Sequence, residues 1–167
     1  GKDWKFKAET ATRPSITLGK YQDYLAKALK SASLKQKKLK KPEENWQLTT
    51  VFDTLLKEVK VSVAPLLVET ETKTQLSKLV KQLSYLKLSL EDYLRSIKKT
   101  ENELMEEYRI SAETNLKLEF ILSEVITDYA PKVTSEEVAA LQPAKNQESY
   151  AKYLVQKRKT LDFLCAL

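Results

Sequence analysis

Residues 20–167 contain no glycine, and the whole chain contains no histidine. The glycine-rich turns that cradle phosphates and dinucleotides therefore have no place in it. Histidine is the usual proton shuttle near neutral pH and the commonest metal ligand, and its absence removes most catalytic chemistry. What is left is a long run of helix-forming, amphipathic sequence. Such a chain is built to hold something rather than to convert it.

Apolar residues make up 42% of the 167 residues and charged residues 31%, enough apolar material for a core in one domain. No stretch approaches the roughly 18 uncharged apolar residues that a membrane helix needs, so no membrane partner is expected. Lys2, Asp3, Lys5 and Lys7 interrupt any apolar run at the start, so no signal peptide is read there. Cys165 has no second cysteine to pair with, which fits a reducing cytoplasm.

The net charge of +6 is unevenly spread: residues 1–41 hold 12 Lys/Arg against 3 Asp/Glu, the remainder 17 against 20. Lys20, Lys27, Lys30, Lys35, Lys37, Lys38, Lys40 and Lys41 carry most of the excess. A basic cluster can contact nucleic acid or an acidic surface. The plainer reading is a solvated lysine-rich helix face, and the role of Lys27–Lys41 stays open. Little aromatic interleaving is present for stacking single-stranded bases.

Trp4, Phe6, Ala8 and Thr10 alternate with polar residues and read as a strand, broken at Pro14, with Ile16–Leu18 extended before Gly19. Helical spacing then runs from Lys20 to Lys41 through Tyr21, Leu25 and Leu29. Pro42 ends that helix or opens the next, which carries Trp46, Phe52, Leu55 and Val59. Val61 and Val63 look extended, and Pro65 starts a long helix through Leu76, Leu79, Leu83 and Leu86. Ser89, Thr100 and Thr134 each stand three residues before an acid and mark helix starts. Between the last two lies a helix of nearly thirty residues, on the order of 40 Å long. Its first half has one apolar stripe (Leu104, Tyr108, Ala112), whereas Leu118, Phe120, Ile121, Leu122, Val125 and Ile126 surround its second half. A helix apolar all round is buried, so the second half is expected in a body and the first in a projecting arm. Val138 and Leu141 mark a short helix, and Tyr150 to about Cys165 the last one.

The carboxylates Glu103, Glu106 and Glu107 stand in the first turns of a helix, where they favour the positive dipole end more readily than they run acid–base chemistry. No metal-ligand spacing is present, no base exists to activate a serine or cysteine, and Cys165 is read as packing beside Leu161 and Leu164. Catalytic residues, metal and cofactor are all expected to be absent.

The run Ser89-Leu90-Glu91-Asp92-Tyr93-Leu94-Arg95-Ser96-Ile97-Lys98-Lys99-Thr100-Glu101-Asn102-Glu103-Leu104 resembles bacterial trigger factor. So do Ala112–Val125, Val133–Val138, Leu55–Pro65 with Leu67–Glu69, Lys157–Leu164, and Arg13–Tyr21. The resemblance implies an all-α fold: an elongated multi-helix body with projecting helical arms and a short N-terminal extended segment. It places an extended linker at 1–19 and a helical substrate-binding domain at 20–167. It implies an ATP-independent chaperone that holds unfolded or nascent polypeptides in an apolar cradle. Leu83, Leu86, Leu88, Tyr93, Leu94, Met105 and Tyr108 are the expected contact positions, each weighed against simple packing within the arm. A Gly-Phe-Arg-x-Gly ribosome-docking loop has no counterpart, and the family's prolyl-isomerase domain is missing between Tyr21 and about Lys41. Any ribosome contact is therefore expected through a missing N-terminal domain, and no isomerase activity is expected. The segment between Val138 and Tyr150 looks shorter than the family's. Alternatives kept open are a helical scaffold or oligomerisation module, including a homodimer, and a basic-helix RNA- or ribosome-binding module without clients. A periplasmic chaperone with a similar cradle is a further relative in kind, without a visible export signal.

Overall fold

The computed structural model describes residues 8, 10–39, 43–144 and 146–167. Among these residues the chain is all-α, with seven helices in the order α1 Tyr21–Gln36, α2 Trp46–Glu58, α3 Pro65–Tyr85, α4 Leu90–Ile97, α5 Glu101–Tyr129, α6 Ser135–Ala139 and α7 Glu148–Cys165. Most of the strand expected at Trp4–Thr10 lies outside the described residues, as does Pro42; Ala8 and Thr10 carry no regular structure. The first helix ends at Gln36, earlier than the periodicity suggests.

The helix starts follow their capping chemistry. The Ser89 hydroxyl accepts from the Asp92 N–H at 3.1 Å. Thr100 and Glu103 form a reciprocal box: the Glu103 N–H donates to the Thr100 hydroxyl at 3.3 Å, and the Thr100 N–H to the Glu103 carboxylate at 2.7 Å. Thr134 and Glu137 repeat it. Each box satisfies two backbone donors that a helix N-terminus otherwise leaves unpaired. Pro65 opens α3, where its missing N–H costs nothing.

Two compact units emerge. One comprises residues 16–61 and 118–167. Its core joins Tyr21, Leu25 and Leu29 of α1 and Val51 and Leu55 of α2 to Ile121, Leu122 and Val125 of α5 and Leu164 of α7. The Tyr21 hydroxyl donates to Asp128 at 2.9 Å. Tyr129 and Phe163 stack with ring centroids 4.1 Å apart. The extended residues before α1 meet the end of α2 in a single antiparallel bridge, Thr17 to Lys60, and Gly19 at φ +58° turns the chain into α1. That left-handed conformation suits glycine.

The other unit holds residues 62–117, that is α3, α4 and the first part of α5, together with the described residues before Ile16. Leu79 and Leu83 of α3 pack with Leu104 of α5, and Leu76, Leu90, Tyr93, Leu94, Ile97 and Tyr108 surround them. The boundary within α5 falls after Lys117, where the apolar residues change from a stripe to a surround.

Candidate functional site

Several large apolar residues of the segment 62–117 stand open to solvent. α3 presents Leu76, Leu79 and Leu83 to α4 and α5 at three- and four-residue spacing, with Leu79 and Leu83 buried there and Leu76 half-buried. The helix then ends at a left-handed Lys87, φ 55°, with the Leu88 N–H donating to the Leu83 carbonyl at 2.9 Å and the Lys87 N–H to the Ser84 carbonyl at 3.1 Å. This is a Schellman-type close. It leaves the residues around it without neighbours. Tyr85 is 94% exposed and Leu86 69%, with Leu88 and Val80 also exposed.

A second apolar surface is a groove of about 580 Å³ lined by α3 and α5. Val63, Pro65, Val68, Leu76 and Met105 supply its apolar lining; Glu69, Lys73, Glu106, Arg109 and Glu113 supply charge. Those charges are already neutralised among themselves. Lys73 reaches Glu69 at 2.6 Å, Arg109 donates to both oxygens of Glu106 at 2.7 and 2.8 Å and stands 3.5 Å from Glu113, and Lys117 reaches Glu113 at 2.6 Å. The hydrogen bond from Lys73 holds the Glu69 carboxyl below the usual range, that from Arg109 does the same for Glu106, and that from Lys117 for Glu113. The Thr72 hydroxyl, also in the lining, is spent on the Val68 carbonyl at 2.7 Å. A groove whose charged groups are paired and whose wall is otherwise largely apolar can shelter apolar side chains.

The seven expected contact residues fall into two environments. Leu83, 6% exposed, is core, and Tyr93, Leu94 and Tyr108 are half-buried around it. Burial, more than the neighbouring Tyr93 and Glu107, pushes the Tyr108 phenol up. Leu86, Leu88 and Met105 face solvent, the last at 48% exposure and in the groove. Sequence reading missed Tyr85, Val80 and Ile110, all exposed, and the groove residues Val63, Pro65, Val68 and Leu76. Tyr85 carried a signal: it sits off the face shared by Leu76, Leu79 and Leu83.

Elsewhere, burial and then Asp162 push the Cys165 thiol up, the opposite of a reactive thiolate. Among the described residues no group of three or more His, Cys, Asp or Glu could hold a metal, and no helix is long and apolar enough to cross a membrane.

The family model described as the C-terminus of bacterial trigger factor protein matches residues 18–142. A trigger factor from Carboxydothermus hydrogenoformans is 36% identical over 100 residues, covering 50% of this chain and 23% of that protein. The chain thus matches less than a quarter of the relative's length. No solved structure matches.

Proposed function

The chain belongs to the bacterial trigger factor C-terminal family, and from that premise we propose that it is an ATP-independent chaperone module that holds unfolded or nascent polypeptide on the open apolar surfaces of residues 62–117. The observation that carries the reading is the pairing of paired-off charge with uncovered apolar surface. Tyr85, Leu86, Leu88 and Met105 stand in solvent in a unit that buries few large side chains of its own.

The energetics suit transient holding. Covering three large client side chains is worth about 5–9 kcal/mol at about 1.5–3 each. Ordering the bound segment costs about 2–5 kcal/mol. At most about 7 kcal/mol remains, so a single contact is no tighter than roughly 10 μM. Two surfaces on one unit raise retention by effective concentration while each still releases quickly, so no nucleotide is needed for release. The setting proposed is the cytoplasm, where a longer protein carrying this module would meet nascent chains at the ribosome. The module itself is a binder and not an enzyme.

The test is light scattering of a denatured client diluted into buffer with and without this chain. The wild type is expected to suppress aggregation. The combined variant Tyr85→Ser, Leu86→Ser, Leu88→Ser and Met105→Ser should lose at least half of that suppression with its helical circular dichroism intact. Full suppression by the folded variant would remove these surfaces from the function. A stoichiometric homodimer that covers them, with no affinity for unfolded protein, would replace the chaperone reading with a scaffold.

A further inference from the structure

The lysine run lies outside the surfaces proposed for clients, in the other compact unit. α1 buries Tyr21, Leu25 and Leu29 on one side. At 100° per residue, Lys27 stands about 160° from Leu25, and Lys30 and Lys35 fall within about 80° of Lys27; Lys20 precedes the helix, and Lys37 and Lys38 follow it. All six are exposed. The helix and its two ends thus turn a lysine-rich face to solvent opposite the core face, with exposed Asp23 and Leu34 among the lysines.

What separates this stripe from an ordinary solvated face is its local charge balance. Several lysines and arginines elsewhere pair with acids, as in Lys73–Glu69, Arg109–Glu106, Lys117–Glu113, Lys157–Glu119 and Lys159–Glu137, although among the described residues exposed Lys78, Lys81, Lys87 and Lys98 make no such pair. Among the described residues no ion pair engages any of the six lysines of the stripe. Asp23 is the one acid between residues 20 and 41. It stands in the first turn of α1, where the helix dipole favours it. Lysines three and four positions apart lie about 5–6 Å from one another, so the stripe concentrates positive charge that its own fold leaves uncompensated.

We propose that the α1 stripe Lys20–Lys38 is a docking surface for the phosphate backbone of double-stranded nucleic acid, bound without regard to base sequence. The chemistry of the face selects that partner. α1 has no arginine or asparagine to read base edges. Its two glutamines are engaged within the fold: Gln22 donates to the Tyr21 hydroxyl at 3.2 Å, and Gln36 accepts from the Glu43 N–H at 3.0 Å. Lysine ammonium groups remain, and these meet phosphate as point charges. Tyr24 is the one exposed aromatic on α1, too little for a single-strand stacking platform. A bilayer surface is disfavoured because a membrane-bound amphipathic helix must insert its apolar face, and that of α1 is the protein core. Exposed Leu34 and Leu39 stand singly among the lysines and form no second apolar face.

The experiment is fluorescence anisotropy of labelled 20-base-pair RNA duplexes of two unrelated sequences, titrated with the full chain across a salt series. The two duplexes are expected to bind within about threefold of each other. Each phosphate-contacting lysine contributes about 0.7–0.9 to the slope of log affinity against log salt. The variant K27Q/K30Q/K35Q/K38Q should therefore flatten the slope by about 3 and weaken binding at least tenfold. Glutamine keeps helix propensity at these exposed sites. The matched variant K78Q/K81Q/K87Q/K98Q, with four exposed lysines removed from the other unit, should change the slope by less than about 1. Equal loss in both variants would reduce the interaction to net charge and overturn the surface. Tighter binding to polyglutamate, or to phosphatidylserine vesicles, than to the duplex would overturn the partner. The α1 variant should still suppress client aggregation in full, so this proposal and the chaperone reading can fail separately.

Discussion

Leu83 and Leu86 are three positions apart at the end of α3, and their surroundings are opposite. Periodicity puts both on the face that carries Leu79, and by helical projection that is where they point. Leu83 still has α5 beside it and is buried against Leu79 and Leu104. Leu86 is the residue at which the helix stops, so nothing packs on it. Spacing along a helix identifies a face; it carries no information about where the neighbour ends. That is why expected contact positions divide into core and surface. The division has a measurable consequence. Leu83→Ala should lower the stability of the residues 62–117 unit by about 2–5 kcal/mol, the cost of emptying a buried leucine site. It should do so by thermal or urea unfolding while affecting client holding only through that loss. Leu86→Ala should leave the melting midpoint nearly unchanged. If the two variants melt alike, the packing described for the end of α3 is wrong.

At the scale of elements, helix starts were legible and several helix ends were not. Ser89, Thr100 and Thr134 announce their helices because capping requires a side-chain oxygen at a fixed spacing from the next acid. Glycine is the usual announcement of a helix end, and there is none after Gly19. The left-handed positions are taken instead by Lys87, Lys98, Ala130 and Gln142, residues that carry no such signal. Ties between elements were equally hidden. Glu119 of α5 accepts from both Tyr153 and Lys157 of α7 at 2.5 Å. Burial pushes its carboxyl up, but the hydrogen bonds from Lys157 and Tyr153 together outweigh burial and hold it below the ordinary range. A carboxyl depressed in the folded state adds stability that is complete above its unfolded value. That stability is lost as pH falls through the folded value. Glu119→Gln should therefore lower the melting temperature at pH 7, and the gap to wild type should close as pH falls below about 4, near the ordinary glutamate value. A gap that stays constant from pH 7 to pH 3 would mean that the Glu119 charge contributes nothing to the tie between α5 and α7.

For the whole molecule, the division that matters runs through α5. The sequence made it legible as the change from one apolar stripe to apolar residues all round, and the two compact units part after Lys117, close to that change. What the sequence could not convey is how unequal the two cores are. The largest fully buried side chains, Leu25, Val51, Leu55, Ile121, Val125, Thr160 and Leu164, all belong to the unit of residues 16–61 and 118–167. The unit of residues 62–117 buries Val68, Leu79, Leu83, Leu104 and Ala112 less deeply or with smaller side chains. Stability follows buried apolar area, and regions with few buried contacts open at lower free energy than the global value. The surfaces proposed for clients thus lie on the weaker unit, where local opening can fit segments of different shape. Native-state hydrogen exchange tests this within one helix. Amides of residues 105–117 of α5 should exchange at least tenfold faster than those of residues 118–129, although both belong to the same unbroken backbone ladder. Client peptide should slow exchange in the first set and leave the second unchanged. Equal protection along the whole of α5 would show a single cooperative unit, and the flexible-holder account of residues 62–117 would then have no physical basis.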